Sequence, residues 1–358
     1  MTRASPPGSE GADDLTVLTL VTSILVFGLL ILAHEFGHFI AARRVGIGVK
    51  EFSVGFGPRL WGWTRGETDY SVRLLPLGGF TVMVGSEPDE PVTEDSYKAK
   101  SVGQRSLAIA AGPFMNFALT AVLFALLFGV WGIPHEANLA STEIGQIIPG
   151  FPADKAGIQP GDVLLSVDGR QLEDWRVFDD IVAGSLGREL TIVLKRGDQV
   201  RTVTVVPASD PNEPGEGMIG VTPTLIYRRI GVLRAVGEGL AETWRVLVAW
   251  LATLIGFITG RTPIDLAGPV MTVRFIGSTA KSGLANLAYL AGFLSLNIGL
   301  FNLLPFPALD GGRLTFLAYE AVTGRKPDPR RESLVHFIGF AALILLMVLV
   351  TYRDILRL

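Results

Sequence analysis

Cysteine is absent from the 358-residue chain. Disulfides and thiolate metal sites are therefore excluded, and any metal must be held by imidazole or carboxylate. Charge is scarce as well, with Asp, Glu, Lys and Arg at 18% of residues against about a quarter in soluble domains. The net charge is −3 and no basic stripe stands out, which excludes a nucleic-acid surface. No internal repeat or low-complexity tract is evident, which argues against the repeated halves usual in transporters. What is abundant is apolar surface, 49% of residues. It is gathered into a few long runs, as in membrane spans rather than one soluble core.

Four runs have the roughly 20 residues that cross a bilayer: 15–41, 106–133, 284–304 and 334–352. Each is expected to be helical, since lipid offers no partner for a free backbone N–H or C=O. The first is flanked by Glu10, Asp13 and Asp14, whereas a signal peptide begins with basic residues, so it reads as a retained span. Lys and Arg fix the orientation. Arg43, Arg44, Lys50, Arg59, Arg65, Arg73, Lys98, Lys100 and Arg105 lie between spans one and two, and Arg313, Arg325, Lys326, Arg330 and Arg331 between three and four. Both loops are expected in the cytoplasm, with the termini and the long middle region outside; Arg353 and Arg357 pull weakly the other way.

Residues 49–85 alternate apolar and polar side chains and are broken by Gly55-Phe56-Gly57-Pro58 and Gly78-Gly79, a pattern of short strands and tight turns. Residues 87–100 are polar and acidic and read as a mobile linker. The middle region divides in two. Residues 144–224 carry strand-like runs at 163–167, 190–195 and 202–206, separated by turn signals such as Pro160-Gly161-Asp162 and Asp168-Gly169. Residues 228–260 have a helical pattern, charged on one side and apolar on the other, and read as a helix lying on the outer membrane face, with a fifth span as the alternative.

Chemistry is concentrated in His34-Glu35-Phe36-Gly37-His38, an H-E-x-x-H run. On a helix, residues four apart share a face, so both imidazoles reach one zinc ion, with Glu35 beside them as general base. The three polar residues fall at the cytoplasmic end of a span, where ionisable groups are expensive and usually functional. A catalytic zinc site takes a third protein ligand and keeps one position open. His135 and His336 read as interfacial residues. The better candidate is Asp310, which ends the third span on the same side as His34 and His38. The helix is broken just before it by Pro305 and Pro307.

These residues and several separated runs resemble the site-2 protease family of intramembrane zinc metalloproteases, most closely the bacterial regulator of sigma-E protease (RseP) subgroup. The runs are H-E-F-G-H-F at 34–39, E-F-S-x-G-F-G at 51–57, P-L-G-G-F at 76–80, A-G-P-F-M-N-F at 111–117, L-A-G-P at 266–269 and N-L-L-P-F-P-A-L-D-G-G at 302–312. The resemblance covers nearly the whole chain. It implies a multi-pass α-helical membrane protein, with about four transmembrane helices, a cytoplasmic β-hairpin loop and an inserted extracytoplasmic domain. It implies Zn2+ held by His34, His38 and Asp310, with Glu35 as base. The substrates it implies are transmembrane proteins, cut within or beside a span after any first cut by another protease, in a bacterial plasma membrane with the active site toward the cytoplasm. Strands near 70–83, including Gly78 and Gly79, are expected to pair with an unwound substrate. Asn302, Pro305 and Pro307 are expected to clamp it. Asn116 is expected to hold backbone or substrate, or alternatively to bond helix to helix.

Residues 144–224 resemble a bacterial PDZ domain, β-rich and of mixed α+β class. The run Gly150-Phe151-Pro152-Ala153-Asp154-Lys155-Ala156-Gly157 is followed by Gly161-Asp162-Val163-Leu164, and Gly217-Met218-Ile219-Gly220 resembles its peptide-binding loop. Peptide or C-terminal tails are the partners implied there. One such domain is visible, where the best-known subgroup member carries two in tandem. Two rivals are a non-catalytic membrane adaptor using this domain and a transporter; the complete ligand set opposes the first and the lack of repeats the second.

Overall fold

The computed structural model describes residues 9–86, 90–148, 150–211, 213, 215–261 and 268–356. The first residues of the N-terminal tail (1–8) and Leu266 and Ala267 of the L-A-G-P run lie outside them. The chain forms two compact units, 1–129 with 231–358, and 130–230.

The first unit opens with α1 (Ser9–Arg44), a proline-free apolar run closed by Arg43 and Arg44 in its last turn. Cations are favoured at that end of a helix, and Gly46, with φ +76°, leads the chain away from it. Two long strands follow, β1 (Val49–Arg65) and β2 (Thr68–Met83). Their register is bulged and doubled. Phe52 lies opposite Thr81 on one side and Tyr70 on the other, while Trp63 pairs with Tyr70 and Arg65 with Thr68. Residues 51–54 therefore sit between two runs of β2, which leaves 79–83 on an edge beside α1. Glu51 holds the sheet together from inside, accepting from Arg73 at 2.7 Å and from Ser71 at 2.8 Å.

The acidic segment that follows is not the mobile linker its composition suggests, over the part that is described. Gly48 N–H donates to Asp95 O, Tyr97 N–H donates to Val84 O, and Ser96 is fully buried. Burial pushes the Tyr97 phenol up to about 12. Polar composition marks disorder only when the segment has nothing to pay its ordering entropy; here the neighbouring strand ends and the Tyr97 ring supply it.

Helix α2 (Val102–Val130) ends three residues short of the expected boundary, because Ile133 starts a strand of the second unit. That unit contains β3 (Ile133–Ala137), β4 (Ile144–Ile147), α3 (Pro152–Lys155), β5 (Val163–Val167), β6 (Arg170–Gln171) and α4 (Trp175–Ala183). It continues with β7 (Leu190–Arg196), β8 (Gln199–Val205), β9 (Ala208–Ser209), β10 (Gly217–Met218), β11 (Val221–Pro223) and β12 (Leu225–Arg228). The main sheet has the order β6-β5-β7-β8, and two further antiparallel pairs, β11 with β4 and β12 with β3, bring the entering and leaving chains together. Alternation along β7 buries Leu190, Ile192 and Leu194 against Trp175 and Phe178 of α4, whose N-terminus is capped by the Asp174 carboxylate. The unit thus has its own apolar core. Arg228, read as the start of a helix, instead closes the β12–β3 ladder.

The chain then forms α5 (Val232–Ile258), α6 (Pro269–Lys281), α7 (Leu284–Leu303), α8 (Asp310–Thr323) and α9 (Pro329–Leu356). Among the described residues, five helices are long and apolar enough to cross a membrane: α1, α2, α5, α7 and α9. Val26 and Leu30 of α1 pack with Ile276 of α6 and Leu290 and Ala291 of α7. Thr120 of α2 donates to Gly292 O, and Ser295 of α7 donates to Asn116 O, bonds that tie helices together where water is absent. Helix α5 lies alongside its neighbours. Gly239 meets the Ala121–Ala125 backbone of α2, the Tyr289 hydroxyl of α7 donates to Glu242, and the Trp250 ring meets Phe301.

Candidate metal centre

The first unit brings three lone-pair-bearing atoms to one point. His34 and His38 lie four residues apart on α1, and their Nε2 atoms face each other at 3.2 Å. Asp310, the first residue of α8, places Oδ2 at 3.1 Å from His34 Nε2 and 3.3 Å from His38 Nε2. The two imidazoles are 7% and 6% exposed. Among the described residues this is the grouping of His, Asp and Glu whose ligand atoms lie within 4.8 Å of one another.

The geometry fits a tetrahedral zinc ion. Metal–ligand bonds of about 2.0–2.1 Å at tetrahedral angles set ligand atoms about 3.3 Å apart. With the lone pairs of both Nε2 atoms free, two nitrogens and a carboxylate oxygen at this separation repel unless a cation lies among them. Asp310 Oδ2 is buried and makes no hydrogen bond, which a metal bond would remedy.

The other imidazole nitrogens support the same assignment. His38 Nδ1–H donates to Ala108 O at 2.9 Å, which leaves the Nε2 lone pair free. His34 Nδ1 lies 3.4 Å from the fully buried Asn116 amide, whose Oδ1 is otherwise without a partner. Exchanging O and N of that amide, which are alike in shape, lets Oδ1 accept the His34 Nδ1–H. Asn116 therefore stands behind a ligand, on the face of His34 opposite its Nε2.

Close helix packing makes room for this arrangement. A Cβ on Gly112 would fall 2.3 Å from His38 Nε2, and one on Gly37 would fall 2.2 Å from Ala111 O. Both positions must stay bare. The same holds beside Asp310. Helix α7 stops at Leu303, Leu304 is extended, and the Pro305–Leu309 turn folds back over the start of α8. A Cβ on Gly311 would meet Leu304 O at 2.1 Å, and one on Gly312 would meet Phe306 O at 2.5 Å. The Asp-Gly-Gly run is thus a packing requirement of the turn that carries Asp310.

Glu35 is half-buried on the next face of α1. Its Cγ lies 3.6 Å from the Cβ position of Gly79, and its carbonyl accepts the Thr81 hydroxyl at 3.1 Å. Gly78 takes φ +112° against the Phe56 ring. The edge run 79–83 thus lies alongside the general-base candidate. Asn302 bonds to Ile298 O of its own helix, Pro305 is exposed and Pro307 is half-buried. His336, read as interfacial, instead accepts the Ala308 N–H; the His135 side chain lies outside the described residues.

In the second unit Gly217 and Met218 pair with Ser209 and Ala208. Ile219 is a core side chain, 1% exposed, and its carbonyl accepts Ala153 N–H, as Gly220 O accepts Ile148 N–H. Met218, by contrast, is half-buried. Three residues of the helices that carry or adjoin the metal centre went unassigned in the sequence: Gly112, and the pair Arg105 and Glu320. The bidentate contact of that pair, at 3.0 and 2.6 Å, joins α2 to α8 across 215 residues. A-G-P within A-G-P-F-M-N-F was a usable signal for Gly112; the ion pair left none.

A family model described as Peptidase family M50 matches residues 22–346. Zinc metalloprotease RasP of Geobacillus kaustophilus is 33% identical, over 95% of this chain and 98% of its own length. Zinc metalloprotease RasP of Oceanobacillus iheyensis is 31% identical over 95% and 99%. The Regulator of sigma-W protease RasP of Bacillus subtilis is 32% identical over 96% and 99%. Among solved structures, the PDZ domain of an SdrC-like protein from Listeria monocytogenes is matched over 26% of this chain and 94% of that one, at 20% identity and a TM-score of 0.22.

Proposed function

The chain belongs to peptidase family M50, the site-2 protease type, and from that premise we propose the residue roles and the membrane placement through which it works. It is a multi-pass membrane zinc metalloprotease of regulated intramembrane proteolysis. His34, His38 and Asp310 hold the zinc, and Glu35 is the general base. The observation that carries this is the buried convergence of His34 Nε2, His38 Nε2 and Asp310 Oδ2 at 3.1–3.3 Å.

A membrane-spanning substrate hides its carbonyls in helical hydrogen bonds and must unwind before it can be cut. The edge run at 79–83, which pairs with β1 along one side, supports strand addition by the unwound segment, with Gly78 and Gly79 allowing close approach next to Glu35. Asn302, Pro305 and Pro307 flank the segment from the other side. Zinc, when bound, supplies a Lewis acid for the scissile carbonyl and makes hydroxide available near neutral pH. Glu35 takes the proton of the attacking water and delivers it to the departing amine. Asn116 and Ala108 O hold the two imidazoles in the tautomer that ligates.

The Lys and Arg of the 44–105 and 313–331 segments favour a cytoplasmic metal centre, with the PDZ-like unit outside, in a bacterial plasma membrane. Spans are formed by α1, α2, α7 and α9, with α5 embedded beside α2 and α7. The relative named for sigma-W regulation supports membrane-anchored regulators of sigma factors as the substrate class, presented after a first cut. The PDZ-like unit, through Gly217–Gly220, takes peptide tails.

The deciding experiment is Glu35→Gln in the full chain, with a fluorescent transmembrane substrate and zinc measured on the same sample. Cleavage is expected to fall by about 10²-fold or more, as loss of a general base does, while zinc stays bound. Proteolysis at the unaltered rate would remove Glu35 from its role.

A further inference from the structure

Asp310 reaches the imidazoles through a turn that the chain does not adopt unaided. Ala308, two residues before it, has φ +76°, one of two non-glycine residues at positive φ among those described. A Cβ in the left-handed region crowds the backbone, so such a residue persists only where its surroundings fix it. The surroundings here are one face of α9. Ala308 N–H donates to His336 Nδ1 at 2.9 Å. One turn further along, Gly339 lies against Pro307, close enough that a Cβ would sit 2.4 Å from Pro307 Cβ and 2.6 Å from its carbonyl oxygen. Residues three apart share a helix face, so His336 and Gly339 grip adjacent residues of one turn.

The hydrogen bond also fixes the imidazole. Because Nδ1 accepts, the ring is neutral and its proton is on Nε2, which is buried and has no partner beyond the nearby Phe316 ring. An unpaired buried N–H is unfavourable. A histidine kept in that state is held for what its other nitrogen does.

We propose that His336 is a positioning residue for the metal centre: by accepting the Ala308 N–H it locks the left-handed turn that aims Asp310 at His34 and His38. This rests on the assignment of those three residues as the zinc ligands. It places part of the control of metal geometry on α9, a helix that contributes no ligand.

The test uses the full chain in detergent, with zinc affinity read by chelator competition and site geometry read from the visible spectrum of the Co(II)-loaded protein. Four variants are compared with the parent: His336→Leu, His336→Asn, Ala308→Gly, and His336→Leu with Ala308→Gly. Losing one hydrogen bond and its hold on a strained turn is expected to weaken zinc binding on the order of tenfold in His336→Leu, with a changed Co(II) spectrum. His336→Asn, whose Oδ1 accepts from nearly the same position as Nδ1, is expected to stay near the parent. Ala308→Gly alone is expected to be neutral, and in the His336→Leu background to restore much of the affinity, because glycine enters the left-handed region without help. Parental affinity and spectrum in His336→Leu would overturn the proposal, as would a defect shared by His336→Asn and unrelieved by Ala308→Gly. If His336→Leu does not fold, the parental behaviour of His336→Asn set against a defect in His336→Gln, whose acceptor lies one bond further out, decides the same point. His34→Ala serves as the reference: parental zinc binding there would sink the ligand assignment itself, whatever His336 does.

Discussion

At the scale of single residues, the metal centre depends as much on what is missing as on its ligands. Gly112 leaves the space that the His38 ring fills, and its Cβ position lies 2.3 Å from His38 Nε2. Gly112→Ala is therefore expected to turn that ring away and lower zinc content steeply, with the helices intact by circular dichroism. Full zinc occupancy in Gly112→Ala would show that the packing gives way instead. Asn116 is the partner of His34 Nδ1. Removing such a partner typically weakens metal binding by about 10- to 100-fold, so Asn116→Ala is expected to lose zinc to chelators sooner, while Asn116→Asp, which keeps an acceptor, retains it. Equal retention in both variants would return Asn116 to a purely helix-bonding role. The sequence displayed H-E-x-x-H and the Asp310 turn openly, because ligand chemistry restricts residue type. The bareness of Gly112 is a property of two backbones in contact, which no local pattern encodes.

At the scale of elements, the position of α8 relative to α2 decides whether Asp310 meets α1. Arg105 and Glu320 close that joint, 9% and 8% exposed, with Arg105 also bonded to Lys100 O and stacked over the Tyr97 ring. Breaking a buried pair leaves one charge unpaired and costs about 3–5 kcal/mol. Glu320→Gln is expected to lower the thermal midpoint and loosen zinc, and Arg105→Met with Glu320→Leu to recover most of the stability by removing both charges. A double variant no better than the single one would mean that the pair does more than satisfy itself. Residues 202–206 and 190–195 were legible as strands because alternation has a period of two. The short β3 and β12 were not. Each is only a few residues long, and they become strands by pairing with each other across the whole second unit. Helix α6 was also missed, since 13 residues are too few to announce a span. Its N-terminus is capped from α9, where Asp354 accepts from the Gly268 and Met271 N–H groups.

At the scale of the whole molecule, the first and second units have separate cores and separate sensitivities. In the second unit, burial and the neighbouring Asp180, Glu213 and Asp210 push Asp179 up, and the shared hydrogen bond with Glu213 pushes Glu216 up. A carboxyl whose folded pKa is raised stabilises the fold most when protonated, and that stability is lost as pH rises through the folded value. Hydrogen exchange of the Leu190–Arg196 amides is therefore expected to slow as pH falls from neutral toward the carboxyl range, after correction for intrinsic rates. Faster corrected exchange on acidification would contradict it.

By itself the sequence determined the residue chemistry and the solvent. The absence of cysteine restricted any metal site to imidazole and carboxylate, the long apolar runs called for membrane-spanning helices, and a spacing of four residues put two imidazoles on one face. These are local consequences of composition and of a period of 3.6 residues. Tertiary structure alone decided that Asp310, singled out from the sequence, meets both imidazoles, that Asn116 lies behind His34, and that His336 bonds the turn before Asp310. Each of those contacts joins segments far apart in the chain, and their meeting depends on the packing of whole helices, whose summed side-chain volumes leave one arrangement that fits.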